Sequence, residues 1–265
     1  MPLSIEDQNQ LIQQEFTKQA EAYAANPNIT DPAWAMRLVQ AAQPRTQDQV
    51  LEIATGPGYV ALAFAPVAQE VVGIDLTAAP LAIAEANRQA RGLTNVRFEA
   101  ADANQLPFAD GAFDIVVCRL AVHHFAAPER VFQEMVRVCR AGGKVVIEDL
   151  LASEQPGRAA YYNGWERLRD PSHVTALSLT QLIALYAAAG LEIEQVQSEP
   201  KTQIVEQWLQ NAQTPPAQAT EVRRLIERDF AEGLSGIHIF YNNAGQLCFD
   251  HRMFTVVGRK GHPKR

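Results

Sequence analysis

The stretch Val50-Leu51-Glu52-Ile53-Ala54-Thr55-Gly56-Pro57-Gly58-Tyr59-Val60-Ala61 joins a short apolar run, a glycine-rich turn and an alanine-rich segment of helical character. That is the layout of a first parallel strand feeding a ligand-binding loop. Gly56 and Gly58 lack a Cβ, so the backbone there can turn sharply and lie directly against a small molecule. A Gly-Pro-Gly turn alone is common punctuation, and its weight here comes from the two strands after it. Val71-Val72-Gly73-Ile74-Asp75 reads as a second buried strand ending in a carboxylate, roughly 20 residues beyond the loop, where an acid holds the hydroxyls of a ribose. Val96-Arg97-Phe98-Glu99-Ala100 alternates like a third strand and leads to Asp102, whose side chain can accept from an exocyclic amine such as that of adenine. Three strand ends therefore point to one nucleoside.

The rest of the composition narrows the class. A chain of 265 residues is long enough for one large domain, or one domain with a cap. With 47% hydrophobic and 20% charged residues and no apolar run of spanning length, it reads as a soluble globular protein without a membrane span. The start, Met1 to Asp7, has neither a basic lead nor an apolar centre, so a cytoplasmic location is expected. Cys118, Cys139 and Cys248 are far apart and set among apolar neighbours, which favours reduced buried thiols over disulfides or metal ligands; no metal site is expected. A net charge of −7 disfavours a nucleic-acid partner, because phosphate neutralisation needs a basic surface. The basic run from Arg259 to Arg265 reads as a solvated terminus.

Along the chain, residues 4 to 30 are polar and helix-prone, with Ile12, Phe16, Ala20 and Tyr23 along one face, the pattern of a packed lid. Asp31-Pro32 starts a second helix and Pro44 ends it. Residues 1–45 are thus a helical N-terminal lid, and 46–265 the main domain. Ala79 to Arg91 forms a helix closed by Gly92, and Phe113 to Cys118 a fully buried fourth strand. Its exit, Arg119-Leu120-Ala121-Val122-His123-His124-Phe125, lies at the same sheet edge as the glycine loop, because parallel strands end on one side. Pro128 opens a helix that Gly142-Gly143 stops, and Lys144 to Leu150 is a fifth strand. Residues 153–177 break the alternation and carry Tyr161, Tyr162, Trp165, Arg167, Arg169, Asp170 and His173: a cap over a pocket or a packed connection, its position favouring the cap. Ser178 and Gln181 form a capping box for a helix closed by Gly190, Leu191 to Gln197 is a sixth strand, and Gln246 to Arg259 a last one. Residues 199 to 235 read as mainly helical, so 199–245 is a second insertion on the substrate side.

These residues resemble a known family. Leu51 to Gly58, Asp75, Asp102 to Phe108, and Phe113 to Cys118 with His123-His124 are similar, in order, to the motifs of class I S-adenosylmethionine-dependent methyltransferases. Arg137 to Gly143 is similar to a segment of the ubiquinone/menaquinone-biosynthesis-like, or methyltransferase type 11, branch, and the resemblance covers about residues 16 to 195. Ala54 departs from the usual first glycine, and Thr55 stands where cysteine is frequent. The resemblance implies an α/β fold, a doubly wound, mostly parallel, seven-stranded Rossmann-like sheet with an antiparallel last strand, and S-adenosyl-L-methionine as cofactor. It implies that Ala54, Gly56 and Gly58, with Glu52 in the strand, pass under the methionine part. Asp75 would hold the ribose, Leu76 pack on adenine, Asp102 and Ala103 face the adenine edge, Arg119 lie near the methionine carboxylate and Tyr23 close over it.

The function expected is in-line methyl transfer to a small-molecule acceptor. His124, His123 or His173 would take a proton if the acceptor must lose one, since imidazole titrates near neutrality; ordering the loop is an equal role for His123 and His124. Tyr161, Trp165 and Arg169 are the candidate acceptor contacts from the cap. The rival is an NAD(P)-dependent oxidoreductase, because Gly56 to Ala61 also fits a dinucleotide fingerprint; Pro57 weighs against it, since a pyrophosphate wants N–H donors that proline lacks. A non-catalytic adenosylmethionine-binding protein would carry the same motifs.

Overall fold

The computed structural model describes residues 3–26 and 30–262. Ser4 caps the first helix, α1 (Ile5–Ala24), its hydroxyl accepting from the Asp7 N–H at 3.1 Å. Asp31 caps α2 (Pro32–Ala42) by accepting from Ala33, and Pro32 occupies the first turn, where a missing N–H leaves no bond unmade. The chain then alternates through β1 (Gln49–Ile53), α3 (Tyr59–Phe64), β2 (Glu70–Asp75), α4 (Ala78–Ala90), β3 (Val96–Ala100), β4 (Phe113–Arg119), α5 (Pro128–Val138) and β5 (Cys139–Leu150). After these come α6 (Pro156–Arg169), α7 (Leu179–Ala188), β6 (Leu191–Ile204), α8 (Val205–Asn211), α9 (Pro216–Glu232), β7 (His238–Tyr241) and β8 (Leu247–Lys260). The expected capping box of α7 is present, with Ser178 and Gln181 each serving the other's backbone.

The strands form one sheet in the order β3-β2-β1-β4-β5-β8-β6, parallel except for β8, which runs antiparallel between β5 and β6. This is the doubly wound α/β sheet expected of the sequence. Side chains alternate across it, so Leu51, Ile53, Val72, Ile74, Val116 and Cys118 pack on one face with α5 and α7. Val50, Val71, Ile115 and Val117 pack on the other with α2 and α3. Runs apolar at every position, unlike the strands of a half-exposed sheet, are what two covered faces require.

Several expectations need correction. The sheet has eight strands among the described residues, because β7 pairs with the first half of β8, His238 opposite Asp250. The sixth strand does not stop at Gln197 but continues to Ile204, so the proposed 199–245 insertion begins inside a strand; the β6–β8 ladder carries it to Ile204 opposite Cys248. Gly142-Gly143 does not close α5. That helix ends at Val138, and the glycines lie within β5, where the register with β4 shifts and a Cβ on Gly143 would sit 2.7 Å from the Asp114 carbonyl. Of the N-terminal helices only α1 covers the strand ends, for α2 is core: Leu38 and Ala42 are fully buried against the sheet. Residues 27–29 and 263–265, parts of the N-terminal helical stretch and the basic tail, lie outside the described residues.

The glycine loop is wedged against the sheet by one ring. A Cβ on Gly58 would lie 2.6 Å from Phe98 Cζ, and one on Gly73 2.7 Å from Phe98 Cδ1. Gly73→Ala should therefore lower stability by about 1–3 kcal/mol through overpacking, and Phe98→Leu in the same chain should recover part of it. Gly58→Ala should cost more and recover less, because its φ of +81° adds backbone strain. Urea midpoints of the two glycine variants, each with and without Phe98→Leu, test this; no recovery with Phe98→Leu would show that the ring is not the obstacle.

Candidate active site

The carboxyl ends of β1, β2 and β4 open into a cavity of ≈ 1020 Å³, open solvent included, roofed by α1. The roof is the apolar stripe Ile12, Phe16, Ala20 and Tyr23, together with Asn9 on the same face. Ala54, Gly56, Pro57, Asp75, Leu76, Asp102, Ala103, Arg119, Leu120 and His124 line the rest.

Two carboxylates hold the loop in place. Glu52, buried in β1, accepts from the Thr55 hydroxyl at 2.5 Å and from the Ala61 N–H at 2.8 Å with the same oxygen, tying the loop and α3 to the strand. Asp75, half-buried at the end of β2, accepts from the Gly56 N–H at 2.9 Å and the Thr77 N–H at 2.8 Å. Ala54, Gly56 and Gly58 all have positive φ, 54°, 52° and 81°. Such a path suits glycine and strains alanine, so Ala54 is held there by its surroundings. Gly58 is packed beneath the cavity, whereas a Cβ on Gly56 would meet nothing nearer than the Tyr23 ring at 3.9 Å. The loop amides are spent internally: Thr55 donates to Ile74, Gly56 to Asp75 and Gly58 to Thr55, and Pro57 has no N–H.

The other walls carry charge. Arg119 donates from Nε to Glu148 at 2.7 Å, and its Nη2 has no hydrogen-bond partner among the described residues although the side chain lines the cavity. Asp102 accepts from Asn9 Nδ2 and from the Asn104 N–H, both at 2.8 Å.

Past Tyr23, Leu120 and His124 the cavity adjoins a second chamber of ≈ 640 Å³, open solvent again included, lined by His123, Arg169, Asp170, Lys201, Trp208 and His251 among others. His123 Nδ1 stands 2.5 Å from Asp149, whose other oxygen accepts from the Val122 N–H at 2.7 Å. Burial works against its charge, but the Asp149 carboxylate wins and holds His123 above the ordinary imidazole range. His124 Nδ1 lies 3.0 Å from the Ser172 carbonyl, and burial, then the neighbouring His123, pushes it down to about 4. A carbonyl only accepts, so Nδ1 carries the proton and Nε2 the lone pair. Gln8 reaches down from α1 to the carbonyls of His124 and Ser172, at 3.0 and 2.7 Å.

Most of the candidates read from the sequence gather here; four do not. Gly58 supports the loop from below. His173 is buried against Asn163, its Nε2 2.7 Å from Oδ1, and lines neither chamber. Trp165 is fully buried among Trp208 and Phe249, and Tyr161 donates to the Leu225 carbonyl on α9. The residues 153–177 are thus mostly a packed connection, with α6 seated on α9 and the start of β8; only its end, Arg169 and Asp170, reaches a chamber. The sequence reading missed Gln8, Asn9, Asp149, Lys201 and His251. Asn9 sits on the Ile12–Tyr23 stripe and Asp149 near the end of a parallel strand, both readable signals, whereas nothing local marks Lys201 and His251, which meet only through the β6–β8 pairing.

Burial raises the Glu52 carboxyl to about 7, so the fold favours its protonated form. Its contribution is complete below the unfolded value of about 4.3 and is lost as pH rises through 7, and Glu52→Gln should flatten that fall by roughly 2–3 kcal/mol. Unfolding free energies of the ligand-free chain between pH 4.5 and 8, wild type against variant, measure it; parallel curves would refute it.

Comparison with known proteins agrees with this geometry. A family model described as a methyltransferase domain matches residues 51–147. YcgJ of Bacillus subtilis, named an uncharacterized methyltransferase, is 32% identical over 246 residues, 92% of this chain and 97% of that one. Its crystal structure superposes with a TM-score of 0.81 at 31% identity, covering 86% of this chain and 98% of that chain. A putative methyltransferase of Bacillus halodurans gives a TM-score of 0.81 at 32% identity over 87% of this chain and all (100%) of that chain. A demethylmenaquinone methyltransferase of Thermus thermophilus is 43% identical over 120 residues, 44% of this chain and 54% of that one. With likeness to YcgJ over nearly the full length of both chains, at above 30% identity and on the same doubly wound fold, the chain belongs to the class I methyltransferase family.

Proposed function

We propose that the chain transfers a methyl group from S-adenosyl-L-methionine to a small-molecule acceptor, with the cofactor in the first cavity and the acceptor in the second chamber. The observation that carries this reading is the donor set of the first cavity. Its loop amides at 55–58 are already bonded or absent, so it lacks the N–H cradle that a dinucleotide pyrophosphate needs, and the NAD(P) reading loses its main support. What it offers instead is a carboxylate for a diol, Asp75, and a buried guanidinium nitrogen without a partner, Arg119 Nη2, for a carboxylate. Those are the complements of the two polar ends of adenosylmethionine.

In this reading Ala54 and Gly56 pass the methionine part, Leu76 packs on adenine and Asp102 with Ala103 reads its edge. Tyr23 closes over the site from α1, and Glu52 acts through the loop it braces. When bound, the cofactor supplies an electrophilic methyl, so the protein's work is alignment and, where the acceptor is protonated, removal of that proton. His124 suits the second task, being neutral above pH 5 with its Nε2 lone pair available on the wall shared by the two chambers. His123, fixed by Asp149, orders the turn that presents it. Net charge of −7 speaks against nucleic acid as acceptor. No helix among the described residues is long and apolar enough to cross a membrane.

Calorimetric titration with adenosylmethionine against NAD tests the assignment, and binding of NAD alone would overturn it. Asp75→Asn should weaken adenosylmethionine binding by about 1–3 kcal/mol through lost charge-assisted hydrogen bonds. His124→Gln should leave that affinity in place and slow turnover by roughly 10²–10⁴-fold, measured once an extract screen has supplied a methylated product. Unchanged turnover would remove His124 from the chemistry, and tight binding with no product in any extract would favour a sensor.

A further inference from the structure

The second chamber is lined unevenly, and the unevenness describes its ligand. Of the acids on and behind the wall, three are engaged by internal donors, while Glu166 keeps Oε1 without a hydrogen-bond partner among the described residues, 3.7 Å from His251, and burial raises its carboxyl to about 7. Asp149 takes His123 and the Val122 N–H, Asp170 takes the Ser172 N–H and hydroxyl, and Glu148 takes Arg119. Arg169 is the opposite case. Its guanidinium lies over Trp208, 4.9 Å from the ring centre, Nε is buried without a hydrogen-bond partner among the described residues, and Nη1 comes no nearer than 4.0 Å to Asp170. A buried guanidinium edge left unbonded costs desolvation energy that a planar acceptor would offset, and carboxylate is the planar anion that matches it in two bonds. Lys201, 5% exposed, stands on the same wall with its ammonium 4.4 Å above the Trp34 ring, next to His251 across the β6–β8 ladder.

We propose that the second chamber takes a methyl acceptor bearing one carboxylate, received by Arg169 and Lys201, with its carbon skeleton against Trp208, Met253 and Leu150. This rests on the reading of the first cavity as the cofactor's. A single negative charge is specified because Asp170 stays beside Arg169, where a phosphate dianion would meet it at close range. An acceptor delivered as an anion also enters close to His124 on the shared wall, with its apolar part on the aromatic and aliphatic side.

Burial, then Arg119, lowers the Lys201 ammonium to about 7, with Glu148, Asp31 and Glu199 as the acids acting on it. An anion bound there restores the charge, so carboxylate binding should draw in a proton at pH 8.

The test uses the full chain saturated with S-adenosylhomocysteine and titrates it with hexanoate, decanoate and 3-phenylpropionate, each beside its amide, and with phenylethyl phosphate. At least one carboxylate should bind roughly tenfold or more tighter than its amide and tighter than the phosphate ester. Arg169→Gln should erase that preference while S-adenosylhomocysteine still binds. Titration in buffers of differing ionisation enthalpy at pH 8 should show uptake of roughly half a proton in the wild type and none in Lys201→Met. Equal binding of acid and amide in every pair, or a preference for the phosphate ester, overturns the carboxylate site and leaves the methyl-transfer reading standing. Failure to bind S-adenosylhomocysteine overturns the methyl-transfer reading, and with it the assignment of the chamber to an acceptor.

Discussion

The site depends on two carboxylates bonded to the backbone of one loop. Residues 54 to 58 follow a path with three positive φ angles, one of them on alanine, and such a path does not persist on local preference. Glu52 holds its start and the helix after it, and Asp75 holds its middle from the neighbouring strand. The Phe98 ring closes the underside, where only Gly58 and Gly73 leave room. The bonds that fix the loop also use its amides, so the polar groups the cavity presents are side chains, Asp75, Asp102 and Arg119 among them.

A second coupling runs from α1 to the histidines. Gln8 is a buried polar residue on a helix otherwise solvated on its outer side, and it donates to the carbonyls of His124 and Ser172. Asn9 makes the corresponding bond to Asp102 across the first cavity. One helix thus forms part of the walls of both chambers and bonds the turn that carries His124. The Phe16 ring, 5.1 Å from His124 in an edge-on contact, lines both chambers where they adjoin.

The charges beside the join are paired in ways that leave polarity directed inward. Arg119 with Glu148 and His123 with Asp149 are buried pairs at 2.7 and 2.5 Å. Buried pairs contribute little net stability against their desolvation, but they hold side chains in one orientation. Here that orientation leaves Arg119 lining the cavity with Nη2 unbonded among the described residues, and His124 neutral beside a fixed His123.

Strands β1, β2, β4 and β5 were legible because Val50-Leu51, Val71-Val72, Ile115 to Cys118 and Val145 to Ile147 are apolar at successive positions, as a sheet covered on both faces requires, and β3 by its alternation. The glycine loop, Asp75, Asp102 and the lid stripe were legible for the same local reason, that residue type at a fixed spacing carries the chemistry. Hydrogen bonds between distant segments leave no such mark. Trp165 and Tyr161 read as acceptor contacts because aromatic residues in an irregular stretch look alike whether they face a pocket or a core. Packing against Trp208, Phe249 and α9 made them core. His173 was removed from the site by its bond to Asn163. Local patterning of the chain determined the fold class and the first cavity, since strand, turn and helix signals act over a few residues. The second chamber was decided only by tertiary structure, because Arg169, Lys201 and His251 come from separate elements and meet through antiparallel pairing and long-range packing that no local spacing records.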